Sequence, residues 1–297
     1  MTIYNLGSIN ADFFYRLDHL PQPGETLASR GFTRGLGGKG ANQSVACARA
    51  GAQVRHLGAI GADGRWMVER MEDAGVLCHA VLIVREASGH AVIYVDGAGE
   101  NTIILHPGAN RTIPDAVIDD ALEEATQDDI LLLQNETCLQ VEAASLAHER
   151  GLFVMYSAAP FEAEAVRAVL PYLSLLVVNE VEAEQLCAAF GCTLDALEVP
   201  NVVVTRGRLG AQWHNFATGG VIEVPAIPVE ALDTTGAGDT FAGYLAAGLS
   251  QKRTREDAMS FAAAAAALKV TRAGTADAIP TSAEVDGFLA DRAGSAP

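Results

Sequence analysis

The chain has 297 residues, and its 20 Lys and Arg against 37 Asp and Glu give a formal net charge of -17. A surface this acidic argues against a non-specific nucleic-acid binder and against a protein held on anionic lipid, because both need a basic face. Hydrophobic residues make up 49% of the chain, which excludes general disorder and suits one large α/β domain or a large domain with a small attachment.

The first predicted strand covers residues 3–7, and two later segments depart from a regular alternation of strand and helix. Residues 12–34 contain short apolar pieces broken by Pro21, Pro23 and Gly24. Residues 90–106 have the pattern of a hairpin with its turn at residues 96–100. We expect these two segments to form a small extra sheet, inserted in the domain as a lid.

The remainder of the chain alternates between strands and helices. Predicted helices cover 41–50, 64–74, 114–125, 139–150, 162–170, 238–249, 256–270 and 283–289, and a further helix starts near residue 179. Predicted strands cover 54–60, 130–133, 153–156, 175–178, 202–205, 211–214 and 221–224. The strands from residue 130 onward are continuous apolar runs, as in a parallel sheet covered on both faces. We therefore predict a single three-layer α/β domain over residues 1–297, carrying the lid.

A glycine-rich segment from Gly35 to Gly40 satisfies the dinucleotide pattern G-x-G-x-x-G. That pattern should directly follow a strand and open the first helix of a βαβ unit, whereas a poor strand precedes it here. A nicotinamide-dependent oxidoreductase stays open as an alternative on this match. Independently of it, Gly38, Lys39 and Asn42 stand just before a predicted helix, where backbone N–H groups, a charge and an amide can meet a ligand.

A second motif, Asp233-Thr-Thr-Gly-Ala-Gly-Asp-Thr-Phe, leads into an apolar helix. The N–H groups of Gly236, Ala237 and Gly238 can converge on one point, and the helix dipole favours negative charge there. Asp239 at the helix start either caps the helix or acts as a base. As a base it would accept a hydroxyl proton while the anion hole holds the charge of a transferred phosphoryl group.

Polar residues also stand at the ends of other predicted strands, on the ligand side of an open α/β sheet. Asn10 and Asp12 alternate and so share one face, and Glu136 follows another strand; such groups suit the hydroxyls of a neutral polyol. Asn179 and Glu182 have the spacing of a capping box, and the alternative is that they hold water around Mg²⁺. The histidines show no transition-metal spacing.

Taken in order, these motifs resemble the ribokinase-like (carbohydrate kinase) family over nearly the whole chain. The matching segments are Gly7-Ser-Ile-Asn-Ala-Asp, Pro23-Gly-Glu-Thr, Gly37-Gly-Lys-Gly-Ala-Asn-Gln, Gly97-Ala-Gly-Glu-Asn, Gly108-Ala-Asn, Asn179-Glu-x-Glu, the Asp233 motif and Val270-Thr-Arg-Ala-Gly. The resemblance implies a Rossmann-like domain with a four-stranded lid. It also implies transfer of the ATP γ-phosphoryl group to a sugar hydroxyl, with O5 of D-ribose as the leading candidate.

The resemblance assigns roles to individual residues. Asp239 would be the general base, with the anion hole at Gly236, Ala237 and Gly238. The sugar would be held by Asn10, Asp12, Gly38, Lys39, Asn42 and Glu136, with Ala91, Ile93 and Leu105 from the lid. Asn179 and Glu182 would serve Mg²⁺ and phosphate, and the nucleotide would lie near Thr205, Gly207 and Gly210.

The family also implies a monovalent cation such as K⁺ behind the anion hole. The matching positions are Asp233, Thr235, Lys269, Arg272, Gly274 and Ala278, the last four offering carbonyls. The sequence departs from the family at four places: Ala278 replaces a Ser ligand, Ala263 an adenine-side His, Ser157 an Asn, and Val178 a Pro. K⁺ dependence is therefore in question.

The sequence also leaves alternative functions open and predicts an oligomeric state and a cellular location. A kinase for another sugar, a nucleoside or a sugar phosphate remains an alternative, as does a non-catalytic sugar-binding protein on the same fold. A homodimer through the lid is expected, since an isolated lid leaves apolar surface and strand edges exposed. The five cysteines include no C-x-x-C pair, and no signal peptide or apolar run of membrane length occurs, so we expect free thiols and a cytoplasmic location. The acidic pairs at residues 119–120, 123–124 and 128–129 are expected on a solvated face.

Overall fold

Thirteen strands and nine α-helices alternate in the computed structural model, which describes residues 1–97 and 100–293. The strands are β1 (Thr2–Leu6), β2 (Asn10–Arg16), β3 (Gly31–Gly37), β4 (Gln53–Ile60), β5 (Leu77–Ile83), β6 (Gly89–Val95), β7 (Asn101–His106), β8 (Ile130–Gln134), β9 (Phe153–Ser157), β10 (Leu175–Asn179), β11 (Asn201–Thr205), β12 (Ala211–Asn215) and β13 (Val221–Val224). The helices are α1 (Lys39–Arg49), α2 (Arg65–Asp73), α3 (Ala116–Leu122), α4 (Gln140–Glu149), α5 (Ala163–Val169), α6 (Glu180–Phe190), α7 (Ala237–Ser250), α8 (Arg255–Lys269) and α9 (Ser282–Ala293).

Nine of the described strands form one sheet, in the order β13-β12-β11-β10-β9-β8-β1-β4-β5. Its strands from β11 to β5 run parallel, and β12 and β13 add an antiparallel edge. The central strands are apolar on both faces because helices cover both faces, which explains their continuous hydrophobic runs. All carboxyl ends of the parallel strands therefore meet at one edge of the sheet.

Two hydrophobic cores lie on opposite faces of this sheet. Helices α1, α2, α7, α8 and α9 contribute to one core, and α3 to α6 contribute to the other. The result is the predicted three-layer α/β architecture. Within the described ranges, no helix is both long enough and apolar enough to span a membrane.

A second sheet has the order β3-β2-β6-β7, and its strands come from the two segments that interrupt the βα alternation. In its register Asp12 pairs with Ala91, and Ala91 pairs with Leu105, so these side chains share one face. Phe13, Val92 and Ile104 form a row on the other face. Of the predicted hairpin turn and the Gly97-Ala-Gly-Glu-Asn segment, Ala98 and Gly99 lie outside the described residues.

Two features of the fold differ from the sequence predictions: strand β5 and the burial of Asp129. No strand is predicted for β5, whose side chains follow neither an alternating nor a fully buried pattern because it lies at the sheet edge. The expectation of a solvated acidic face is wrong for Asp129, which is buried. Its carboxylate accepts hydrogen bonds from the N–H groups of Thr2 and Thr126 and so ties β1 to the start of β8.

Candidate active site

Polar residues gather where the parallel strands end. Ser8 follows β1, Glu136 follows β8, and Ser157, Asn179 and Thr205 are the last residues of β9, β10 and β11. Ligands of open α/β sheets bind outside this edge. The strand order alone therefore brings these side chains together, although they are separated by up to about two hundred positions in the sequence.

The turn before α1 brings the glycine-rich segment against the end of β1. Gly38 has φ 89°, and a Cβ atom on it would lie 2.8 Å from the carbonyl oxygen of Ser8. Only glycine fits both the left-handed backbone and this close approach. The helix that follows carries Asn42 and Gln43, both buried, toward α7.

Asp239 lies in the first turn of α7 and is 8% exposed. Its Oδ2 accepts a hydrogen bond from Asn42 Nδ2 and its Oδ1 accepts one from Gln43 Nε2, each at 3.0 Å. Both carboxylate oxygens therefore have a fixed amide donor, which orients the group. The adjoining turn is set by Gly236, the N-cap of α7, with φ 72°.

The N–H groups at the start of α7 differ in their partners. Ala237 donates to the carbonyl of Thr234 at 3.2 Å. Within the described part of the chain, the N–H groups of Gly236 and Gly238 have no protein acceptor. Together with the helix dipole, these two free donors make an anion-binding position beside Asp239.

Sequence patterns do not identify the buried polar network behind Asp239. Gln134 Nε2 donates to Gln43 Oε1 and to Asn5 Oδ1, each at 2.8 Å, and Asn5 Nδ2 donates to Ser44 Oγ at 2.8 Å. Ser44 Oγ lies 2.8 Å from His56 Nδ1. Burial lowers the pKa of His56 to about 4, so the ring is neutral near pH 7. Apart from Gln43, which ends the glycine-rich motif, these residues belong to no motif, and only their mutual contacts reveal the network.

Glu136 and Asp12 face the same region. Glu136 Oε2 accepts hydrogen bonds from Ser8 Oγ and from the N–H of Lys39 at 3.0 Å. Burial, assisted by the charge of Glu136, raises the pKa of Asp12 to about 7. Asn10 Oδ1 accepts from Asn110 Nδ2 at 2.8 Å, so the Gly108-Ala-Asn segment, to which the sequence alone assigns no role, holds the Asn10 side chain. Asp12 lies against Gly37 and Glu136 accepts from the Lys39 N–H, so both carboxylates flank the turn before α1.

Asn42 retains an unused acceptor. Its Oδ1 is buried and, among the described residues, has no hydrogen-bond partner. A buried amide oxygen left unpaired costs free energy, so a ligand hydroxyl at this position would be favourable.

Lys39 adds a positive charge near the carboxylates at the carboxyl ends of the parallel strands. The carboxylate of Asp239 raises the pKa of its ammonium, opposed by burial and helped by Glu136 and Glu182. A polar cavity of about 150 Å³ joins Lys39, Ser157, Asn179, Glu182, Gly236, Gly238 and Asp239. Most of the predicted catalytic and phosphate-side residues thus line one space.

Asn179 and Glu182 form a complete capping box at the start of α6. Asn179 Oδ1 accepts from the Glu182 N–H, and Glu182 Oε2 accepts from the Asn179 N–H, both at 2.8 Å. Burial nevertheless raises the pKa of Glu182, against the lowering effect of the Asn179 N–H and of Lys39. The cap holds the carboxylate at the wall of the polar cavity.

A larger, mainly apolar cavity of about 450 Å³ adjoins the start of α7. It includes the predicted Thr205, Gly207 and Gly210 and also Ala263. Phe241 and Val270 of the quoted motifs also line it. The sequence does not single out its remaining apolar walls, because those residues belong to no motif. They are Ala226, Ile227, Pro228, Val229, Ala231, Ala266 and Ala267. Thr205 borders both cavities.

Five predicted residues come from the small sheet: Asn10 and Asp12 of β2, Ala91 and Ile93 of β6, and Leu105 of β7. Ala91 and Ile93 are buried, whereas Leu105 is 49% exposed on a strand whose six residues are all exposed. Leu105 shares the face of Asp12 but has no cover over it in the single chain.

The loop before α7 and the turn after α8 meet at Asp233. Its carboxylate accepts from the N–H groups of Thr235 and Gly274, both at 2.9 Å, which lower its pKa although burial acts to raise it. Lys269 is fully buried, and its Nζ donates to the carbonyl oxygen of Asp233 at 3.1 Å. Arg272 pairs with Glu284 at 2.8 Å, and the small side chain of Ala278 is buried.

Comparison with known proteins gives concordant matches over the whole chain. Residues 2–282 match the family described as pfkB family carbohydrate kinase. The chain is 34% identical over 303 residues to the ribokinase of Haemophilus influenzae, covering 97% of this chain and 98% of that protein. It is 35% identical over 311 residues to the ribokinase of Schizosaccharomyces pombe, covering 97% of each. The solved structure of Arabidopsis thaliana ribokinase complexed with ribose and ATP is similar with a TM-score of 0.86 at 28% identity, covering 97% of this chain and 98% of that one.

Proposed function

The chain belongs to the pfkB family of carbohydrate kinases, and we propose that it transfers the γ-phosphoryl group of ATP to O5 of D-ribose. The observation that carries the chemistry is the carboxylate of Asp239. It is buried, oriented by two amides, and adjacent to two free N–H donors at a helix N-terminus.

Asp239 acts as the general base in this proposal. Its carboxylate accepts the proton of the sugar hydroxyl as the oxygen attacks the γ-phosphorus, and the bond from phosphorus to the leaving ADP oxygen breaks. The Gly236 and Gly238 N–H groups and Lys39 stabilise the negative charge on the phosphoryl oxygens during the transfer. Gln43 and Asn42 keep the carboxylate aimed at the hydroxyl.

The sugar is bound by the acceptors that face Asp239 from β2, α1 and the end of β8. We assign hydroxyl contacts to Asn10, Asp12, Asn42 and Glu136, with Gly38 and Lys39 at the turn. The unpaired Oδ1 of Asn42 supports this assignment, because a ribose hydroxyl supplies the donor that it lacks. Ala91, Ile93 and Leu105 of the small sheet would cover the apolar side of the sugar as a lid.

The nucleotide lies along the two cavities. The apolar cavity with Thr205, Gly207 and Gly210 suits a planar base, and the polar cavity suits the phosphates. Mg²⁺ fits the oxygen groups of Asn179 and Glu182, since a hard cation prefers oxygen ligands and retained water. When bound there it would neutralise phosphate charge.

The residues at the K⁺ position that the resemblance implies do not suit K⁺, unlike the residues that suit Mg²⁺. The resemblance assigns a monovalent cation to Asp233, Thr235, Lys269, Arg272, Gly274 and Ala278. Ala278 has no side-chain oxygen, and the ammonium of Lys269 already donates to the carbonyl of Asp233. No step of the proposed reaction depends on K⁺.

The proposal also includes an oligomeric state and a cellular location. We assign a homodimer through the exposed face of the small sheet, because apolar side chains such as Phe32 and Ile104 remain more than half exposed in the single chain. We also assign the reducing cytoplasm, which suits the free thiols of all five cysteines.

The oxidoreductase alternative lacks structural support. Gly35 to Gly37 belong to β3 of the small sheet, in an antiparallel pair, and not to the first βαβ unit of a dinucleotide-binding domain. A sugar-binding protein without catalysis would have no use for a base beside an anion hole, which favours the kinase.

Release of ADP from MgATP tests the proposed function. We expect turnover with D-ribose and a kcat/KM for 2-deoxyribose that is lower by about tenfold or more, because the missing hydroxyl leaves a buried acceptor unpaired. Fructose, nucleosides and sugar phosphates should also be poorer substrates, because their hydroxyls or added groups are arranged differently. Mass spectrometry of the product should show one added phosphoryl group. A chain that releases no ADP in the presence of ribose does not have this function.

A further inference from the structure

A buried lysine contacts the loop that precedes the anion hole. Lys269 is the last residue of α8, its side chain is fully buried, and its Nζ donates to the carbonyl oxygen of Asp233. We infer that this ammonium is the fixed cation behind the anion hole and replaces the monovalent ion that the carbohydrate-kinase resemblance implies. This inference rests on the proposed kinase function.

The oxygens around this position leave little coordination for a free ion. The carbonyl of Asp233 accepts from Lys269 Nζ, and both carboxylate oxygens of Asp233 accept from backbone N–H groups. The carbonyl of Lys269 accepts from the N–H of Arg272 at 3.0 Å. At position 278 the methyl group of alanine offers no ligand. Because K⁺ would meet a like charge among these groups, the site is electrostatically closed to it.

The ammonium is placed to act on the chemistry. Burial lowers the pKa of the Lys269 ammonium, and the carboxylates of Asp233 and Asp239 oppose this lowering. The loop that it binds leads directly into Gly236 and the free N–H groups of the anion hole. A positive charge in this buried setting strengthens the binding of developing negative charge on the phosphoryl group.

A tethered charge has a different dependence on solution conditions from a bound ion. It is present at every salt concentration and needs no ion to be recruited, so no binding equilibrium links turnover to K⁺. The wild-type enzyme is therefore expected to work equally in K⁺, Na⁺ and tetramethylammonium salts at matched ionic strength.

The test measures kcat, the KM for ribose and the thermal midpoint in these three salts. For the wild type, kcat should vary by less than about twofold between salts, and in Lys269→Met it should fall by about tenfold or more with a nearly unchanged KM for ribose. The matched control is Lys252→Met, which removes an exposed lysine outside the site and should match the wild type.

A second variant turns the position back into an ion site. Lys269→Ser combined with Ala278→Ser removes the ammonium and supplies the missing oxygen. Its kcat and its thermal midpoint should both rise with K⁺ but not with tetramethylammonium, and a merely structural lysine would not produce that selectivity.

Two results would overturn the inference: stimulation of the wild type by K⁺ of about tenfold or more, or a wild-type kcat in Lys269→Met. If Lys269→Met does not fold, the salt response of the wild type decides alone. Failure of the proposed function is a separate result, because it would appear as absence of ribose-dependent ADP from the wild type in every salt.

Discussion

At the scale of single residues, the site depends on how two carboxylates are held. Asp239 receives an amide donor on each oxygen, which fixes the orientation of its carboxylate. Burial, assisted by the charge of Glu136, raises the pKa of Asp12 and so disfavours its charged form. The two aspartates thus have different surroundings, although their side chains are the same.

Asp239→Asn is expected to lower kcat by about 100-fold or more, since the amide cannot accept the hydroxyl proton. The dissociation constants of ATP and ribose, measured by calorimetry, should change little because the shape of the side chain is kept. Asp120→Asn, on the exposed part of α3, serves as the control. A variant that keeps more than a few per cent of wild-type kcat would show that Asp239 is not the base.

The raised pKa of Asp12 predicts that the free energy of unfolding depends on pH. Its pKa is about 7 in the folded chain and about 4 in the unfolded chain, so the folded state binds the proton more tightly. The resulting destabilisation grows as pH rises from about 4 to about 7 and is complete above that range. Asp12→Asn removes it, and its gain in unfolding free energy should be larger at pH 8 than at pH 5 by on the order of 2 kcal/mol.

Urea unfolding of wild type and Asp12→Asn at the two pH values measures this difference. Asp120→Asn should show no such pH-dependent gain. An equal gain for Asp12→Asn at pH 5 and pH 8 would contradict the raised pKa.

At the scale of elements, the crossing of α1 and α7 positions Asp239, the proposed base. A Cβ atom on Gly243 would lie 2.5 Å from the Cβ of Ala46 and 2.6 Å from the carbonyl oxygen of Gln43. Cys47 Sγ also donates to the carbonyl of Gly243 at 3.3 Å. The helices therefore approach closely one turn from the pair of amides that hold Asp239.

Gly243→Ala is expected to separate α1 from α7 and to lower the unfolding free energy by about 1–3 kcal/mol. It should also lower kcat, because Asn42 and Gln43 move relative to Asp239. The control is Gly287→Ala in α9, where the new methyl group meets nothing within 4 Å. That exposed helical change should raise stability by up to about 1 kcal/mol and leave kcat unchanged.

Chemical unfolding and steady-state kinetics on both glycine variants check this argument. If Gly243→Ala equals the wild type in stability and in kcat, the close crossing does not position the base.

At the scale of the whole molecule, a net charge of -17 coexists with a site for an anionic nucleotide. The positive potential is local: the start of α7, Lys39 and Lys269 all act within the buried edge of the sheet.

The second whole-molecule feature is the exposed apolar face of the small sheet, where Phe32 is 52% and Ile104 is 58% exposed.

Ile104→Lys is expected to dissociate the proposed homodimer, because a charged side chain would be buried at its centre. Sedimentation velocity at micromolar concentration measures the change. Val221→Lys, at an exposed position of β13 away from this face, is the control and should remain a dimer. A wild type that sediments as a monomer would remove the basis of the assignment.

The amino-acid sequence by itself determined the order of strands and helices and the location of each motif. These features are local: continuous apolar runs predict buried parallel strands, and glycines before an apolar helix predict an anion-binding turn. The positions of Asp239, Asn179 and Glu182 at helix starts, and the two segments of the small sheet, could be predicted from such local patterns. The edge strand β5 could not, because its pattern of exposure depends on having a neighbour on one side only.

Only the tertiary structure decided which groups meet. Gln43 lies 196 positions from Asp239 in the sequence, and its place in the glycine-rich motif does not show that Asp239 is its partner. The same holds for Lys269, whose carbonyl was the group expected to matter, whereas its ammonium turned out to reach Asp233. The physical reason is that a side chain's partners depend on how helices cross and where their turns end, and those positions are fixed by packing between distant parts of the chain.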